Sequence, residues 1–338
     1  SRIETYLSQD GYSSWKKIIS GKIPKSEVIT IIKESGLRGK GGAGFSTGLK
    51  WSFINSSDQQ KYLVCNSDES EPGTCKDRDI LRYNPHAVIE GMLIASYAIG
   101  ASVGYNYLRG EFIGDQWVVF NKAVKEAYEY NFIGKNILKS NLCIEIVPLI
   151  GAGAYIVGEE TAMLESIEGK RGMPRIKPPF PAVQGLYGKP TIINNTETLA
   201  TVPYIIKNGS EWYKNLGVND SDGVKMFCMS GHLNKPSVIE APLGVPSSKL
   251  LNDYGGVLDN KKLKAVIPGG SSVPVVKGED IMETPMDYES LMKIGTMLGS
   301  GGIIIMDEST CMVSVLERFS RFYYDPSDPH DNTVQCTK

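Results

Sequence analysis

Hydrophobic and polar positions follow one another along the first two thirds of the chain with the spacings of helices and strands in turn. Apolar residues recur at helical spacing over residues 26–35, which predicts a helix with Ser26 as its N-cap and Gly36 at its end. Apolar runs predict strands at 61–66, 103–109 and 142–150, and helices at 86–100, 115–130 and 158–168. Such alternation is typical of an α/β layered domain.

The pattern changes after about residue 221, where short β-rich runs separated by Gly and Pro replace the longer elements. The runs lie at 224–229, 238–241, 265–267 and 303–306, with one helix predicted at 247–253. From residue 309 a new helix is predicted, stopped by Pro326, with Met312, Leu316, Phe319 and Tyr323 on one face. We therefore predict an α/β domain (1–220), a small α+β domain (221–307) and a helical C-terminal segment (308–338).

Composition and charge exclude several classes of function. The chain has 36 Lys and Arg against 38 Asp and Glu, a net charge of −2. Its overall charge therefore gives no reason to expect binding to nucleic acid or to an anionic membrane surface. No apolar run is long enough to span a bilayer, so we expect a globular protein with no direct membrane span. The six cysteines include no C-x-x-C pair, and the three histidines lie far apart. We therefore expect a reducing, intracellular setting, no metal ligands and no nucleophilic triad.

A glycine-rich loop over residues 37–51 is the first candidate for a binding site. Gly39, Gly41 and Gly44 satisfy G-x-G-x-x-G, but the loop follows a predicted helix, whereas the dinucleotide fingerprint follows a strand. A tight connection between two elements is a second interpretation. We favour a third, in which glycine N–H groups and the cations Lys40 and Lys50 bind a phosphate or the edge of a planar cofactor.

Residues 151–160 (GAGAYIVGEE) combine small residues after a predicted strand with two acids at the start of a predicted helix. Glu159 and Glu160 would repel a phosphate at that helix N-terminus. We therefore expect them to accept hydrogen bonds from hydroxyl or amide groups, such as those of ribose and nicotinamide. The alternative is that they are ordinary first-turn acids.

Two further stretches carry charge. Asp68, Glu69 and Glu71 lie in a turn over residues 66–73, which suits a polar wall for a ligand, a divalent metal site or a solvated turn. Residues 169–191 hold five prolines and five cations without an acid, and Phe180 offers a ring for stacking. This basic loop is either a solvated face or a partner for an anionic ligand. Its cations are Lys170, Arg171, Arg175, Lys177 and Lys189.

At these same residues the chain resembles a known family. The stretches GLRGKGGAGFSTGLKW, CNSDESEPGT, GAGAYIVGEETAMLESIEG and PRIKPPFPAVQGLYGKPTIINNTETLA are similar to the flavin- and NADH-binding subunit of respiratory complex I, an NADH:quinone oxidoreductase. The same unit occurs as the diaphorase subunit of NAD-linked hydrogenases and formate dehydrogenases. The later stretches VIPGGSSVPVV and TPMDYESLMKIGTMLGSGGIIIM resemble the β-grasp ligand-binding-type domain of this family.

The resemblance implies an α/β fold with a Rossmann-like flavin- and NADH-binding domain, then a small β-grasp (ubiquitin-like) α+β domain and the start of a helical region. It implies FMN and NADH as cofactor and substrate, with hydride transfer from NADH to FMN and electrons passed through iron–sulfur clusters towards quinone. The implied partners are a [2Fe–2S] subunit and an iron–sulfur-rich subunit. The implied location is peripheral, on the cytoplasmic side of a bacterial inner membrane or the mitochondrial matrix side. A hydrogenase or formate dehydrogenase diaphorase and a degenerate, non-catalytic fragment are the alternatives.

The family motifs also imply site residues. Gly39, Lys40, Gly41 and Lys50 would line the FMN phosphate and flavin. The residues implied to contact flavin or ribityl groups are Asn66, Asp68, Glu69, Ser70, Tyr155, Gly158, Asn194 and Asn195. Those implied at the dinucleotide are Phe45, Phe53, Glu71, Glu160, Lys177 and Phe180. The argument from residues 151–160 adds Glu159 to the cofactor-binding candidates. Glu71 and Glu160 are the catalytic candidates, and as acids they would disfavour the additional phosphate of NADPH.

The end of the chain departs from the family. After RFYY the family continues with an S-C-G-x-C-x-x-C run whose cysteines, with a later fourth, hold a [4Fe–4S] cluster. This sequence instead reads DPSDPHDNTVQCTK, and Cys336 alone cannot hold a cluster. We therefore expect flavin but no iron–sulfur cluster on the chain as given, which is either a fragment or an altered copy.

Overall fold

The computed structural model describes residues 2–54, 58–218 and 220–324, so Pro326, His330 and Cys336 lie outside the described residues. The chain forms two compact units. The first comprises Ser1–Gly39, Phe45–Glu69 and Asp77–Trp212. The second comprises Lys40–Gly44, Ser70–Lys76 and Tyr213–Lys338. Parts of the glycine loop and of the acidic turn therefore belong to the second unit.

The first unit is built on a parallel sheet of four strands. The strands are β1 (Tyr62–Ser67), β2 (Val103–Leu108), β3 (Glu145–Ile150) and β4 (Thr191–Asn195). Their order is β3-β2-β1-β4, so the chain moves outwards from β1 through β2 to β3 and then returns to the other side of β1. This is the doubly wound arrangement, and it confirms the predicted Rossmann-like α/β domain.

Helices precede and connect these strands. Up to Lys214 they are α1 (Ile3–Ser8), α2 (Ser13–Ile19), α3 (Lys25–Glu34), α4 (Thr47–Ser52), α5 (Lys76–Tyr83), α6 (Pro85–Ile99), α7 (Asp115–Glu129), α8 (Glu160–Ile167), α9 (Thr196–Asn208) and α10 (Ser210–Lys214). Helix α6 packs against α9, β1 and β2 and is buried along nearly its whole length, as its apolar sequence requires. It begins at Pro85 and is capped after Ile99 by Gly100, whose φ of 77° favours a residue without a side chain.

The second unit carries a mixed five-stranded sheet in the order β6-β5-β11-β8-β9, in which β5 and β11 are parallel. Its strands are β5 (Val224–Gly231), β6 (Ser237–Pro242), β7 (Val245–Pro246), β8 (Leu263–Ile267), β9 (Val276–Lys277), β10 (Pro285–Met286) and β11 (Gly302–Asp307). Its helices are α11 (Ser247–Asp253), α12 (Gly278–Met282), α13 (Tyr288–Lys293) and α14 (Met312–Tyr324). Phe227, Met229, Ile303 and Ile305 point from the sheet into one apolar core. The predicted small α+β domain is confirmed.

The structure corrects three local predictions. Ser26 is not an N-cap, because α3 already begins at Lys25 after Pro24. The acids at 159–160 are preceded by a 3-10 turn (Tyr155–Gly158), so α8 begins at Glu160 rather than at residue 158. The last helix begins at Met312, and Leu316 is 66% exposed.

The face of α14 that packs on the sheet differs from the prediction by one position, because Val315 takes the place expected for Leu316. Met312, Val315 and Phe319 pack against Ile267 and Met306 of the second unit's sheet. A spacing of three and then four residues places these three side chains on one stripe, and Leu316 follows the stripe by one residue and faces away.

A buried carboxylate fastens the start of the chain to α6. Glu90 accepts hydrogen bonds from the Tyr6 hydroxyl (2.6 Å) and from the main-chain N–H groups of Tyr12 (2.8 Å) and Trp15 (3.1 Å). Burial raises the pKa of Glu90 above its ordinary value, against the lowering effect of these hydrogen bonds. Nearby, the ring nitrogens of His86 lie 3.1 Å from the Tyr12 hydroxyl and 3.0 Å from Glu126 Oε2, a structural role for this histidine.

We expect Glu90→Leu to lower the free energy of unfolding by about 3 kcal/mol or more, because it leaves two buried N–H groups and one hydroxyl without their acceptor. Glu129→Gln, on the exposed side of α7, serves as the control and should change stability little. Urea unfolding followed by circular dichroism measures both. Equal stability of the two variants would contradict the anchoring role of Glu90.

Candidate functional site

The candidate site begins where β1 and β4 end. Asn66 in β1 lies beside Asn195 in β4, and Cys65 lies beside Asn194. The next strand along the chain, β2, lies on the opposite side of β1, so the order in which the chain adds its parallel strands reverses between β1 and β4. In open α/β sheets, ligands bind outside the carboxyl ends of the strands at such a reversal. The predicted residues Asn66, Asn194 and Asn195 therefore share the expected edge.

Amide side chains connect this edge to its surroundings. Asn66 Nδ2 donates to the carbonyl oxygen of Gly158 at 2.8 Å, and Trp51 Nε1 donates to Asn194 Oδ1 at 2.8 Å. These bonds tie β1 to the turn before α8, and β4 to α4 at the end of the glycine loop. Asn195 caps α9 by accepting from the N–H of Glu197 at 2.9 Å.

The acidic turn is held by local and distant contacts. Asn66 Oδ1 accepts from the N–H of Asp68 at 3.1 Å, and Asp68 is 8% exposed. Glu69 accepts from the N–H groups of Asp77 and Arg78 at 2.8 and 3.0 Å, so its carboxylate caps the first turn of α5. Arg109, directly after β2, donates to the carbonyl oxygen of Glu69 at 2.8 Å.

Four charged side chains form an ionic cluster. Lys50 Nζ lies 2.8 Å from Glu160 Oε2, and Lys177 Nζ lies 2.9 Å from Glu159 Oε1 and 3.3 Å from Glu160 Oε1. All four side chains are 26–31% exposed. Glu159 also caps α8 by accepting from the N–H groups of Thr161 and Ala162. The cluster (Lys50, Glu159, Glu160 and Lys177) contains two positive and two negative charges.

Both carboxylates of the ionic cluster are held in the charged form. Burial acts to raise the pKa of Glu159, but hydrogen bonds from Thr161, Lys177 and Ala162 outweigh it and lower this pKa below its ordinary value. Burial likewise acts against ionisation of Glu160, and the ammonium groups of Lys50 and Lys177 lower its pKa overall. The donors to both carboxylates are groups of the protein itself, and the hydrogen bonds from ligand hydroxyl or amide groups stay a prediction.

The basic loop has counter-charges that the local sequence does not reveal. Arg175 donates to Glu165 (2.5 Å), Glu168 (2.8 Å) and the carbonyl oxygen of Gly185 (2.8 Å), and Lys170 pairs with Glu168 at 2.6 Å. The expectation of five cations without a counter-acid is therefore wrong. Helix α8 supplies the acids, because its side chains point towards the loop that follows it.

Three predicted aromatic residues are exposed on the first unit. Phe45 is 48% exposed and Phe53 is 53% exposed, and their ring centroids lie 6.2 Å apart. Phe180, in the basic loop, is 59% exposed. Tyr155 is partly exposed in the 3-10 turn before α8. Exposed rings are suited to stacking on a planar ligand.

The remaining predicted residues lie in the second unit. Lys40 is 2% exposed and its ammonium group lies 5.9 Å from the centre of the Tyr213 ring, whereas Gly41 is exposed. Ser70 is partly exposed. Glu71 accepts from the N–H of Ser272 at 2.6 Å. Lys40 is thus a buried cation within its unit, which the sequence did not indicate.

Residues that the sequence argument missed complete the site. Trp51, Asp77 and Arg109 hold predicted site residues in position, and Asp77 Oδ2 accepts from Asn195 Nδ2 at 2.6 Å. Arg109 could have been found, since it follows β2 directly and so lies at the carboxyl edge of the sheet. The other two carry no local signal.

The described residues contain neither a group of metal ligands nor a candidate membrane span. Over residues 2–54, 58–218 and 220–324, no three His, Cys, Asp or Glu side chains are grouped so as to hold a metal ion. No helix within the same residues is both long and apolar enough to cross a membrane.

Family models match most of both units. A model described as the Nuo51 FMN-binding domain matches residues 32–204, and a model of the SLBB domain matches residues 225–306. The F 2 subunit of NADH-quinone oxidoreductase from Rhizobium meliloti (strain 1021) is 47% identical over 337 residues, which are 99% of this chain and 78% of that protein. The F subunit of NADH-quinone oxidoreductase from Rickettsia typhi is 52% identical over 315 residues, 92% of this chain and 73% of that protein.

Two solved structures are similar to this chain in fold. An NAD+-reducing [NiFe]-hydrogenase in the air-oxidized state matches with a TM-score of 0.81 and 31% identity, covering 100% of this chain and 55% of that chain. The H2-reduced state matches with a TM-score of 0.77 and 33% identity, covering 90% of this chain and 50% of that one. The present chain thus spans about half the length of the hydrogenase chains that it matches.

The ionic cluster predicts a pH dependence of stability. Because the pKa values of Glu159 and Glu160 are lower in the folded protein than the ordinary 4.5, the two carboxylates stabilise the fold above about pH 4.5. This contribution is lost as the pH falls through the folded-state values. We expect Glu159→Gln/Glu160→Gln to lower stability at pH 7 by about 1 kcal/mol and to flatten the decline below pH 4.5.

The matched control is Glu27→Gln/Glu34→Gln, which removes two exposed acids from α3. Urea unfolding between pH 3 and pH 7 measures the free energy of unfolding of the parent, the cluster variant and the control. Parallel stability curves for the cluster variant and the parent would contradict the stabilising role of the cluster.

Proposed function

The chain belongs to the family of F subunits of NADH-quinone oxidoreductase, and we propose that it is an NADH-oxidising flavoprotein subunit that binds FMN. The observation that carries the proposal is the meeting of amide and acidic side chains at the β1–β4 edge, within the residues that the Nuo51 FMN-binding model matches. Binding of FMN to the purified chain and its reduction by NADH test this proposal.

The residues present fit FMN in three respects. A phosphate needs cations, and Lys50 and Lys177 reach the same carboxylate, so both ammonium groups lie in one small region. Ribityl hydroxyls need donors and acceptors, which Asn66 and Asn194 provide at the strand ends. A planar ring needs close approach to the backbone, and a side chain on Gly39 would fill space that now has no neighbour nearer than 3.5 Å.

Each part of the site then has a role. When bound, FMN supplies an acceptor for the hydride of NADH. We assign Asn66, Asp68, Glu69, Tyr155, Gly158, Asn194 and Asn195 of the first unit to the flavin, and Gly39 and Lys50 to its phosphate side. The protein orients the two rings, so no side chain has to move a proton during hydride transfer.

The dinucleotide is assigned to the exposed aromatic residues and the charged residues beside them. Phe45, Phe53 and Phe180 stack on its flat groups, and Lys177 neutralises negative charge. Glu160, with Glu159, accepts hydrogen bonds from ribose hydroxyls or the nicotinamide amide. Binding therefore requires Lys50 and Lys177 to share their contacts between these acids and the ligand.

We propose that the chain works within a multi-subunit NADH-oxidising complex, as the names of its relatives indicate. In such a complex a [2Fe–2S] subunit and an iron–sulfur-rich subunit would hold the clusters that accept electrons from FMN on the way to quinone. The position is peripheral, on the cytoplasmic side of a bacterial inner membrane or on the matrix side of a mitochondrial one.

The proposed domains are an FMN- and NADH-binding domain (1–220), a β-grasp domain (221–307) and a helical segment (308–338), in keeping with family-model limits of 32–204 and 225–306. The second candidate function is a hydrogenase diaphorase, favoured by the TM-score of 0.81 to a hydrogenase chain. The NADH-quinone oxidoreductase relatives, at 47–52% identity, favour complex I. Co-purification of partner subunits separates the two.

We expect the purified chain to bind FMN in equal molar amount. Lys50→Met should raise the dissociation constant for FMN about tenfold, because it removes one charge-assisted hydrogen bond. Quenching of flavin fluorescence measures the constant. Lys22→Met, which removes an exposed lysine from the turn after α2, is the matched control. A folded parent chain that binds no FMN refutes the proposal, and bound FMN that NADH does not bleach supports a non-catalytic fragment instead.

We expect NADH to be preferred over NADPH by about tenfold or more in kcat/KM, because Glu160 repels an additional phosphate. NADH–ferricyanide assays with both nucleotides measure the ratio. Since Lys50 and Lys177 partly compensate Glu160, Glu160→Gln should reduce this preference without abolishing it. Comparable turnover of both nucleotides by the parent protein would overturn this assignment of Glu160.

A further inference from the structure

Segment Ser70–Lys76 lies on the sheet of the second unit through a close backbone approach. A Cβ atom added to Gly302 in β11 would lie 2.7 Å from the carbonyl carbon and oxygen of Gly73, so a side chain at Gly302 would prevent this contact. The hydroxyls of Thr74 and Ser300 are hydrogen-bonded, and Ser271 N–H donates to the carbonyl oxygen of Pro72 at 3.1 Å. The segment is therefore held against β11 at several points.

Two residues further along, the segment reaches the neighbouring strand. Gly302 of β11 pairs in register with Cys228 of β5, so a chain that crosses β11 at Gly73 continues over Cys228. The main-chain N–H of Cys75 donates to Cys228 Sγ at 3.2 Å. Only three bonds separate the Cys75 nitrogen from its own sulfur, which places both sulfur atoms within one side chain's reach of the same nitrogen.

The two thiols differ in accessibility as a reactive pair requires. Cys75 is partly exposed, and Cys228 is 1% exposed on its strand. An oxidant from solvent therefore meets Cys75 first. Cys65, by contrast, is fully buried, and burial raises the pKa of its thiol to about 12, so it stays unreactive.

We propose that Cys75 and Cys228 form a reversible disulfide when the protein meets hydrogen peroxide. The Cys75 thiol attacks the peroxide, giving a sulfenic acid and one water, and the Cys228 thiol then displaces a second water to form the S–S bond. The two thiols lose two electrons and two protons in total, and the peroxide is reduced to two molecules of water. A dithiol reductant reverses the reaction.

The disulfide would fix segment Ser70–Lys76 covalently to β5. The segment includes Ser70 and Glu71, and it joins the carboxyl end of β1 to α5 along the chain. Oxidation would thus restrict the stretch of chain that directly follows the candidate site. The disulfide itself does not depend on the proposed function, because the oxidant is supplied from outside.

The test uses the full chain with Cys143→Ser, Cys311→Ser and Cys336→Ser, which leaves Cys65, Cys75 and Cys228 as its only cysteines. The protein is treated with hydrogen peroxide and analysed by intact mass and by peptide mapping without reductant. We expect the loss of two hydrogen atoms, one linked peptide pair containing Cys75 and Cys228, and full recovery with dithiothreitol.

Cys75→Ser in the same background is the matched control and should form no linked peptide. Its thermal unfolding should match that of the background protein, which shows that the fold is kept. Oxygen addition to Cys75 without a link to Cys228 in the background protein would overturn the proposal. A link between Cys75 and Cys65 would also overturn it.

Discussion

The direction of β4 is the constraint on which the candidate site depends. β4 pairs with β1 in parallel, on the side opposite β2, so the ends of both strands open onto one edge of the sheet. A parallel return of this kind requires a long crossover, which here runs from β3 through α8 and the basic loop to β4. The acidic turn, the turn before α8 and the amides of β4 meet only because this crossover brings them back to β1.

Local patterns were sufficient to predict the elements of the fold but not all of its contacts. The strands, the long helices and the change of architecture after residue 221 follow from apolar periodicity and from Gly and Pro, which act within a few residues. The stripe on α14 was missed by one position because Leu316 and Val315 are both apolar, and only the sheet that Met312 and Phe319 cover decides between them. Tertiary packing supplied that information.

The same difference between local patterns and tertiary contacts decides which parts of the candidate site could be predicted. Asn66, Asn194 and Gly158 were found because their motifs lie at strand ends and turns, where sequence signals are strong. Lys50 pairs with Glu160 at a separation of 110 residues, and Trp51 bonds to Asn194 at a separation of 143, so neither contact leaves a local trace. Of the predicted residues, Lys40 is the clearest case in which charge at the sequence level suggested an exposed cation and the fold buries the side chain.

The ionic cluster explains how a region with equal numbers of acids and cations suits an anionic ligand under the proposed function. Glu160 is contacted by both Lys50 and Lys177, so a phosphate that draws one lysine away leaves this carboxylate paired with the other. Glu159 keeps the N–H groups of Thr161 and Ala162 even without Lys177. Partner exchange in the cluster therefore leaves no buried charge without a partner, and the large penalty for such a charge does not arise. The two acids keep the lysines in place before a ligand arrives, which reduces the entropy that binding has to overcome.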